Sequence, residues 1–212
     1  MYGVLERSEK DGPAVARRLR ALRWGLVPSW AKDQKNGSRL INARVETLAD
    51  KPSFRSAFAK RRAILPSSGY YEWQPIDVDG KVRKQPYFIH PTEGGVLSFA
   101  ALYELWPDPT KDDDDPLRWV WSTTIVTTDA TGPAGEIHDR TPLILPSERI
   151  DAWLDPTLTD PARIQTLLTG IESVPLEVRP VSTEVNKVGN DRPDLIDPID
   201  EHADRPLNLA MA

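Results

Sequence analysis

Ile137-His138-Asp139-Arg140-Thr141-Pro142-Leu143-Ile144-Leu145 is a stretch that places three different polar groups directly before an apolar run. The apolar residues Leu143–Leu145 predict a strand anchored in a core, which would hold the preceding His-Asp-Arg triplet at a sheet edge. His138 is the one histidine of three in such a setting, and an imidazole ordinarily changes its charge near neutral pH. The spacing alone allows two interpretations: a functional site, or a turn capped by Asp139 in which His138 only satisfies a neighbour.

Strands outnumber helices on either side of this stretch. Apolar–polar alternation and aromatic or β-branched composition predict the strands, and Asp79-Gly80 is a hairpin turn signal between two of them. Because the strands follow one another rather than alternating with helices, the sequence predicts an α+β fold with a mainly antiparallel, barrel-like sheet and peripheral helices. The predicted strands are 23–28, 40–47, 63–66, 70–73, 86–90, 96–103, 119–127 and 176–182, and the predicted helices are 14–22, 52–60, 147–154 and 160–170.

Length and composition indicate a single soluble domain. The chain has 212 residues, of which 28% are charged, and no run has the length of a membrane span. We expect one domain over residues 1–196, an acidic, flexible tail over 197–212, and the cytoplasm as the default location. The sequence contains no cysteine, which excludes disulfides, thiolate metal sites and a thiol nucleophile within these residues.

Charge is distributed unevenly along the chain. Residues 1–64 contain 15 Lys and Arg against 6 Asp and Glu, a net charge of +9, although the whole chain carries −5. A basic first third can offer phosphate groups a local patch despite the acidic total. An ordinary solvated surface is the alternative, and charge alone favours it. The aspartates 112–115 lack the alternation and the glycine of a calcium loop, so we predict neither a metal site nor a cofactor.

One carboxyl stands out in the aromatic strand Tyr70-Tyr71-Glu72-Trp73. Glu72 is its only charge, and a carboxyl that loses solvent among aromatic rings favours its protonated form and suits an acid or base role. The alternative is that Glu72 faces water or pairs with an arginine. By contrast, His90 precedes a proline at a strand end, so we expect it at the surface without a partner.

A polar strand face and a tryptophan complete the candidates. Asn42, Arg44 and Glu46 fall on one face of the predicted strand 40–47, where solvation is the ordinary explanation. Trp30 lies in a loop beside a lysine, and an exposed tryptophan there could stack on a base. More often a tryptophan belongs to the core.

Four motifs and a closing one occur in a defined order: Trp24-Gly25-Leu26-Val27-Pro28-Ser29-Trp30, Ile41-Asn42-Ala43-Arg44-Val45-Glu46-Thr47, Gly69-Tyr70-Tyr71-Glu72-Trp73, Ile137-His138-Asp139-Arg140-Thr141-Pro142 and Val185-Asn186-Lys187-Val188-Gly189-Asn190. Together they resemble the SRAP family, the SOS-response-associated peptidases or abasic-site processing proteins. The resemblance runs from Trp24 to about Ile196. One such motif would be weak, whereas four in order are specific.

The resemblance implies a sensor of abasic sites in single-stranded DNA, which forms a protective covalent crosslink through a cysteine directly after the initiator methionine. It implies that Asn42 holds the terminal amine or a nearby phosphate and that Glu72 is the acid/base that opens the sugar and reverses the link. His138 would assist Schiff-base chemistry and hold a phosphate, and Trp30 would wedge against a base. The further DNA contacts it implies are Arg44, Thr127 and Arg140. The expected partner is single-stranded DNA containing abasic sites, bound by a monomer that associates with the nucleoid and with no membrane.

The chain departs from the family pattern at its start. Tyr2 follows Met1, and only 23 residues precede Trp24, whereas family members carry several dozen there, including the cysteine. We therefore expect Met1 to be an internal start or the first residue of a shortened form. Such a chain would retain the acid/base groups and the DNA-binding face without the nucleophile.

Two other functions stay open. A non-covalent binding module for single-stranded or lesion DNA would show salt-sensitive binding and no SDS-stable product. A peptidase or small hydrolase would use Glu72 and His138, as the older family name suggests. No serine stands in a strained, glycine-flanked elbow and no metal-ligand spacing occurs, which argues against hydrolysis.

Overall fold

Two sheets carry the fold in the computed structural model, which describes residues 1–8 and 15–199. Eight strands form a curled half-barrel in the order β10-β9-β8-β5-β1-β2, with β3 and β4 also paired to β9, and three strands form a second sheet in the order β11-β7-β6. The strands are β1 Tyr2–Ser8, β2 Val15–Ala21, β3 Arg23–Trp24, β4 Asn42–Arg44, β5 Arg62–Ser67, β6 Tyr70–Val78, β7 Lys81–Pro91, β8 Leu97–Pro107, β9 Trp119–Asp129, β10 Arg140–Pro142 and β11 Leu176–Pro180. The helices are α1 Arg55–Lys60, α2 Gly132–Ile137, α3 Ser147–Leu154 and α4 Pro161–Leu167, and short 3-10 helices span Lys35–Arg39, Val45–Thr47, Thr183–Asn186 and Pro193–Ile196.

Strand β9 organises the large sheet. It pairs antiparallel with β8 and β10 and parallel with β3 and β4. The predicted α+β class with a barrel-like sheet is confirmed, but the large sheet is mixed because β3 and β4 run parallel to β9. This arrangement brings Arg44 opposite Thr127 and Arg140 opposite Asp129 at the end of β9.

The helix predicted over 14–22 is wrong. Val15–Ala21 is β2, which pairs along its whole length with β1, a strand that the sequence analysis missed. Cross-strand pairing overrides the helical propensity of Ala, Arg and Leu here: Arg17 bonds Glu6 directly across the pair, with Nε to Oε1 at 2.7 Å. The predicted first residue, Ala14, lies outside the described residues.

Other differences concern ends and connections. The strand predicted over 40–47 is shortened to β4 because Val45–Thr47 turns into a 3-10 helix. Helix α2 was not predicted, since its six residues contain two glycines and a proline. The helix predicted over 147–154 has the bounds of α3. Helix α4 lies within the helix predicted over 160–170, and the Asp160 carboxylate caps its start by accepting a hydrogen bond from the Ala162 backbone N–H.

The prediction for His90 is also wrong. Its side chain is only 13% exposed, and its Nε2 lies 3.6 Å from the Glu177 carboxylate on the neighbouring strand β11. The ring also stacks on Phe88, with the ring centroids 5.3 Å apart. A single strand with no visible pairing partner could not reveal this cross-strand contact.

Each face of the large sheet supports its own core. Helices α1, α3 and α4 cover one face, where Phe58, Trp153 and Ile164 are fully buried. The other face buries Leu5 and Tyr103 in the second core. Alternation along strands such as β8 divides successive side chains between these two cores.

The end of the described chain joins the small sheet. Val181 and Pro198 form a β-bridge, and the Ile199 backbone N–H donates to Pro180 O at 3.1 Å. Residues 200–212 of the predicted flexible tail lie outside the described residues. Among the helices in the described ranges, none is long and apolar enough to cross a membrane.

Candidate functional site

The predicted catalytic carboxyl and imidazole are close enough to interact electrostatically, although they come from distant parts of the chain. Glu72 is on β6 of the small sheet and His138 follows α2, directly before β10 of the large sheet. Burial raises the pKa of Glu72, and the nearby His138 charge opposes that shift only in part. The negative charge of Asp139 raises the pKa of Glu72 further. Glu72 is therefore a half-buried carboxyl that retains its proton more readily than an ordinary glutamate.

The orientation of the His138 ring is fixed by the backbone. Its Nδ1 lies 3.0 Å from the Arg140 backbone nitrogen, whose N–H it can accept, and 3.2 Å from the Arg140 carbonyl oxygen, to which it can donate in the other tautomer. Asp139 Oδ1 lies 3.2 Å from the same Nδ1. With Nδ1 occupied, Nε2 is the atom that is free to exchange a proton with a substrate.

A tyrosine and a threonine join the cluster without having been predicted. Tyr70 Oη lies 2.8 Å from Thr141 Oγ1, so β6 is bonded to β10 beside the carboxyl. Burial raises the pKa of Tyr70 to about 12, which keeps its hydroxyl protonated. The sequence showed Tyr70 only as one aromatic residue among several in the strand.

Arg140 is held by carboxylates at the sheet edge. Its guanidinium bonds both oxygens of Glu46, at 2.9 and 3.1 Å, and also bonds Asp129 Oδ1 and the Thr127 carbonyl. The hydrogen bond from Arg140 lowers the pKa of Glu46. Only 15% of the Arg140 side chain is exposed. A phosphate would have to displace a carboxylate in order to bind this guanidinium.

The remaining predicted contacts differ in exposure. Asn42 and Arg44 are exposed on β4, on either side of the buried Ala43. Thr127 is 7% exposed, and its carbonyl holds the Arg140 side chain. Within residues 1–8 and 15–199 Arg44 has no ion pair, so its charge is available to a ligand.

Trp30 lies outside this cluster. Its side chain is 65% exposed and forms one wall of an open pocket of about 550 Å³ together with Lys32 and Arg39. Its Nε1 makes only a long bond of 3.4 Å to Pro52 O. The structure therefore joins Glu72 and His138 in one group and Asn42, Arg44, Thr127 and Arg140 in an adjacent one, while Trp30 projects separately.

The closing motif, residues 185–190, contacts strand β6 on the face opposite Glu72. Trp73 Nε1 donates to Asn186 Oδ1 at 2.7 Å. A further cavity, of about 650 Å³, lies between β10, α2 and residues 168–176, and Thr141 lines it. Its walls combine apolar residues such as Leu143 and Leu176 with the carboxylates of Asp129 and Glu172. The cavity adjoins the Glu72 cluster through Thr141.

Residues 4–188 match the family described as SOS response associated peptidase (SRAP). The chain belongs to the SRAP family. The family prediction made from the five motifs is thus confirmed. Those motifs form the two adjacent polar groups and the Trp30 pocket of this SRAP domain.

Relatives and solved structures are similar over most of the chain. "Abasic site processing protein YoqW" of Bacillus subtilis is 42% identical over 180 residues, which are 85% of this chain and 76% of that protein. "Abasic site processing protein HMCES" of Gallus gallus is 33% identical over 215 residues; the match covers 91% of this chain but only 61% of that protein. The crystal structure of a protein from Bacteroides thetaiotaomicron matches with a TM-score of 0.69 and 28% identity, covering 89% of this chain and 78% of the other.

Proposed function

We propose that this SRAP-family chain binds abasic sites in single-stranded DNA and that Glu72 and His138 transfer protons at the lesion sugar. The observation that carries the proposal is the half-buried Glu72, whose pKa is raised by burial beside an oriented imidazole. A carboxyl whose pKa is raised and that lies near an imidazole is characteristic of acid/base sites. Relatives named abasic site processing proteins support DNA with this lesion as the ligand.

The chemistry assigned to the pair is the opening of the sugar ring. An abasic deoxyribose is a cyclic hemiacetal, and its opening needs a base that removes the C1′ hydroxyl proton and an acid that protonates the ring oxygen. The C1′–O4′ bond then breaks and an aldehyde forms, with no change in oxidation state. Glu72 and His138 Nε2 supply one proton donor and one acceptor, and each regains its starting state when the ring closes.

The DNA would approach along β4 and the end of β9. Arg44 offers an unpaired guanidinium for a phosphate, and the Asn42 amide offers both a donor and an acceptor beside it. Arg140 and Thr127 are also proposed to contact the DNA. For Arg140, a phosphate oxygen would replace one of the carboxylate oxygens that it now binds. Trp30 would stack on a neighbouring base at its pocket.

A covalent crosslink needs a nucleophile as well as this acid/base pair. The family resemblance implies a cysteine thiol, and the 212 residues contain none. The proposal for these residues is therefore binding and ring opening, and the thiol step requires a cysteine supplied from elsewhere. The alternative of purely non-covalent lesion binding has the same surface but no proton transfer at Glu72.

The test of lesion recognition compares two labelled single-stranded oligonucleotides that differ only by one abasic site. Fluorescence anisotropy should show tighter binding to the abasic strand. Glu72→Gln should retain binding, and denaturing gels should show no SDS-stable product from this cysteine-free chain. Equal affinity for the two strands would refute lesion recognition. An SDS-stable band would instead assign a covalent step to an amine of the chain.

A further inference from the structure

Strand β6 presents its two faces to different parts of the molecule. Side chains alternate along a strand, so Tyr70, Glu72 and Gln74 share one face. On the opposite face Tyr71 packs against Phe88, with ring centroids 5.3 Å apart. The first face is the one turned toward the segment that carries the candidate imidazole.

Two hydrogen bonds on that face bracket the candidate carboxyl. Tyr70 Oη bonds Thr141 Oγ1 at 2.8 Å, and Gln74 Nε2 donates to Glu136 O at 2.8 Å. Glu72 lies midway between the two bonded residues, about 7 Å along the strand from each. The order of partners reverses along the facing segment, so the imidazole at position 138 falls between residues 136 and 141, opposite Glu72.

In the described part of the chain, no backbone hydrogen bonds between paired strands fix the position of Glu72 relative to His138. Strand β6 belongs to the small sheet and β10 to the large one, and no strand pairing joins them there. The separation between the carboxyl and the imidazole is therefore set where side chains cross from one sheet to the other. Because charge–charge interaction weakens with distance, that separation decides how strongly the two groups influence each other.

We infer that Tyr70 and Gln74 are positioning residues that hold the Glu72 carboxyl at a fixed distance from the His138 imidazole. Their catalytic relevance rests on the proposed function, in which these two groups are the acid/base pair. The positioning itself is a property of the free protein. It can therefore be measured without DNA.

The readout is the titration midpoint of Glu72, followed by carbon NMR of its side-chain carboxyl. His138 and Asp139 are the ionisable groups that influence it. Replacing His138 by Gln removes the positive charge that lowers the Glu72 pKa, so the midpoint should rise. The size of this rise measures the coupling between the two groups.

The variants remove the hydrogen bonds that flank Glu72 but keep Glu72 itself, and the effect of His138→Gln is measured in each of them. In Tyr70→Phe with Gln74→Met, the rise caused by His138→Gln should shrink by about half because the groups separate. The matched control is Tyr71→Phe, the same change at the next residue on the opposite face, and there the rise should equal that of wild type. If the double variant does not fold, Thr141→Val tests the same bond from its other side, and Thr141→Ser should restore the coupling.

The outcomes separate this inference from the proposed function. An unchanged coupling in both Tyr70→Phe/Gln74→Met and Thr141→Val would overturn the positioning role, whatever the protein does to DNA. A reduced coupling with Thr141→Ser rescue would establish it, even if abasic DNA is not bound. A loss of coupling in Tyr71→Phe as large as in Tyr70→Phe with Gln74→Met would reveal general loosening of β6 and would also overturn it.

Discussion

At the residue scale, the surroundings of Glu72 disfavour the ionised form of its carboxyl. Burial raises its pKa, and Asp139 adds to this effect while His138 reduces it. The folded protein therefore binds the Glu72 proton more tightly than the unfolded chain does. Between the ordinary glutamate value and the raised one, the free energy of unfolding falls as pH rises, because the unfolded state there holds fewer protons.

A stability comparison tests this sign. Glu72→Gln has no carboxyl to ionise, so its free energy of unfolding relative to wild type should increase as pH rises from about 4 to 7. Urea denaturation at several pH values measures the difference between the two proteins. A difference that stays constant with pH, or that moves in favour of wild type, would contradict the raised pKa.

At the scale of elements, Arg62 at the start of β5 connects the sheet to its helices. Its buried guanidinium donates to five carbonyl oxygens, those of Phe58, Ala59, Trp153, Asp155 and Leu158. Burial lowers the pKa of Arg62 to about 10. The sequence predicts only a strand over 63–66 beside Arg62, because the carbonyl acceptors lie in α1, in α3 and in the residues beyond α3.

Arg62→Met should therefore lower the free energy of unfolding by about 3 kcal/mol, since several buried carbonyls lose their donor together. Chemical denaturation measures this loss. Arg163→Met, the same change at an exposed position of α4, should stay within about 0.5 kcal/mol of wild type. Equal effects at the two positions would show that Arg62 does not hold the helices to the sheet.

The elements also show what the sequence could predict. Strong local signals sufficed for α3, for the existence of α4 and for the β6–β7 hairpin, and the ordered motifs sufficed for the family. The helix predicted over 14–22 failed because its strand pairing is non-local. The Tyr70–Thr141 bond and the carboxylates around Arg140 could not be predicted, since each joins residues far apart in the chain. The assigned roles of Asn42, Arg44 and Trp30 stay predictions.

At the scale of the whole molecule, an acidic chain is proposed to bind a polyanion. The net charge is −5, so binding depends on where the cations lie. Arg17 is paired with Glu6 and Asp151, and Arg140 with Glu46 and Asp129. The exposed Arg44 has no such partner in the described residues and adjoins the candidate site, and for this reason we propose it as a phosphate contact.

Arg44→Gln should weaken binding to single-stranded DNA with and without the lesion alike, because a phosphate contact carries no base information. The slope of log K against log salt should fall in magnitude by about 0.7 for the loss of one such contact. Anisotropy titrations at several salt concentrations give both values. Arg163→Gln, on the helical side of the large sheet, should leave the slope unchanged; a change equal to that of Arg44→Gln would make the binding a non-specific surface effect.

The central claim is that Glu72 and His138 open the lesion sugar, and NMR exchange at a ¹³C-labelled C1′ tests it most directly. The two ring anomers of an abasic site interconvert only through the open aldehyde, so their exchange rate reports ring opening. Saturating wild-type protein should raise this rate on the order of 100-fold or more over free DNA. Glu72→Gln should bind the same strand without accelerating the exchange. A saturated wild-type complex whose anomers exchange no faster than in free DNA would contradict the account.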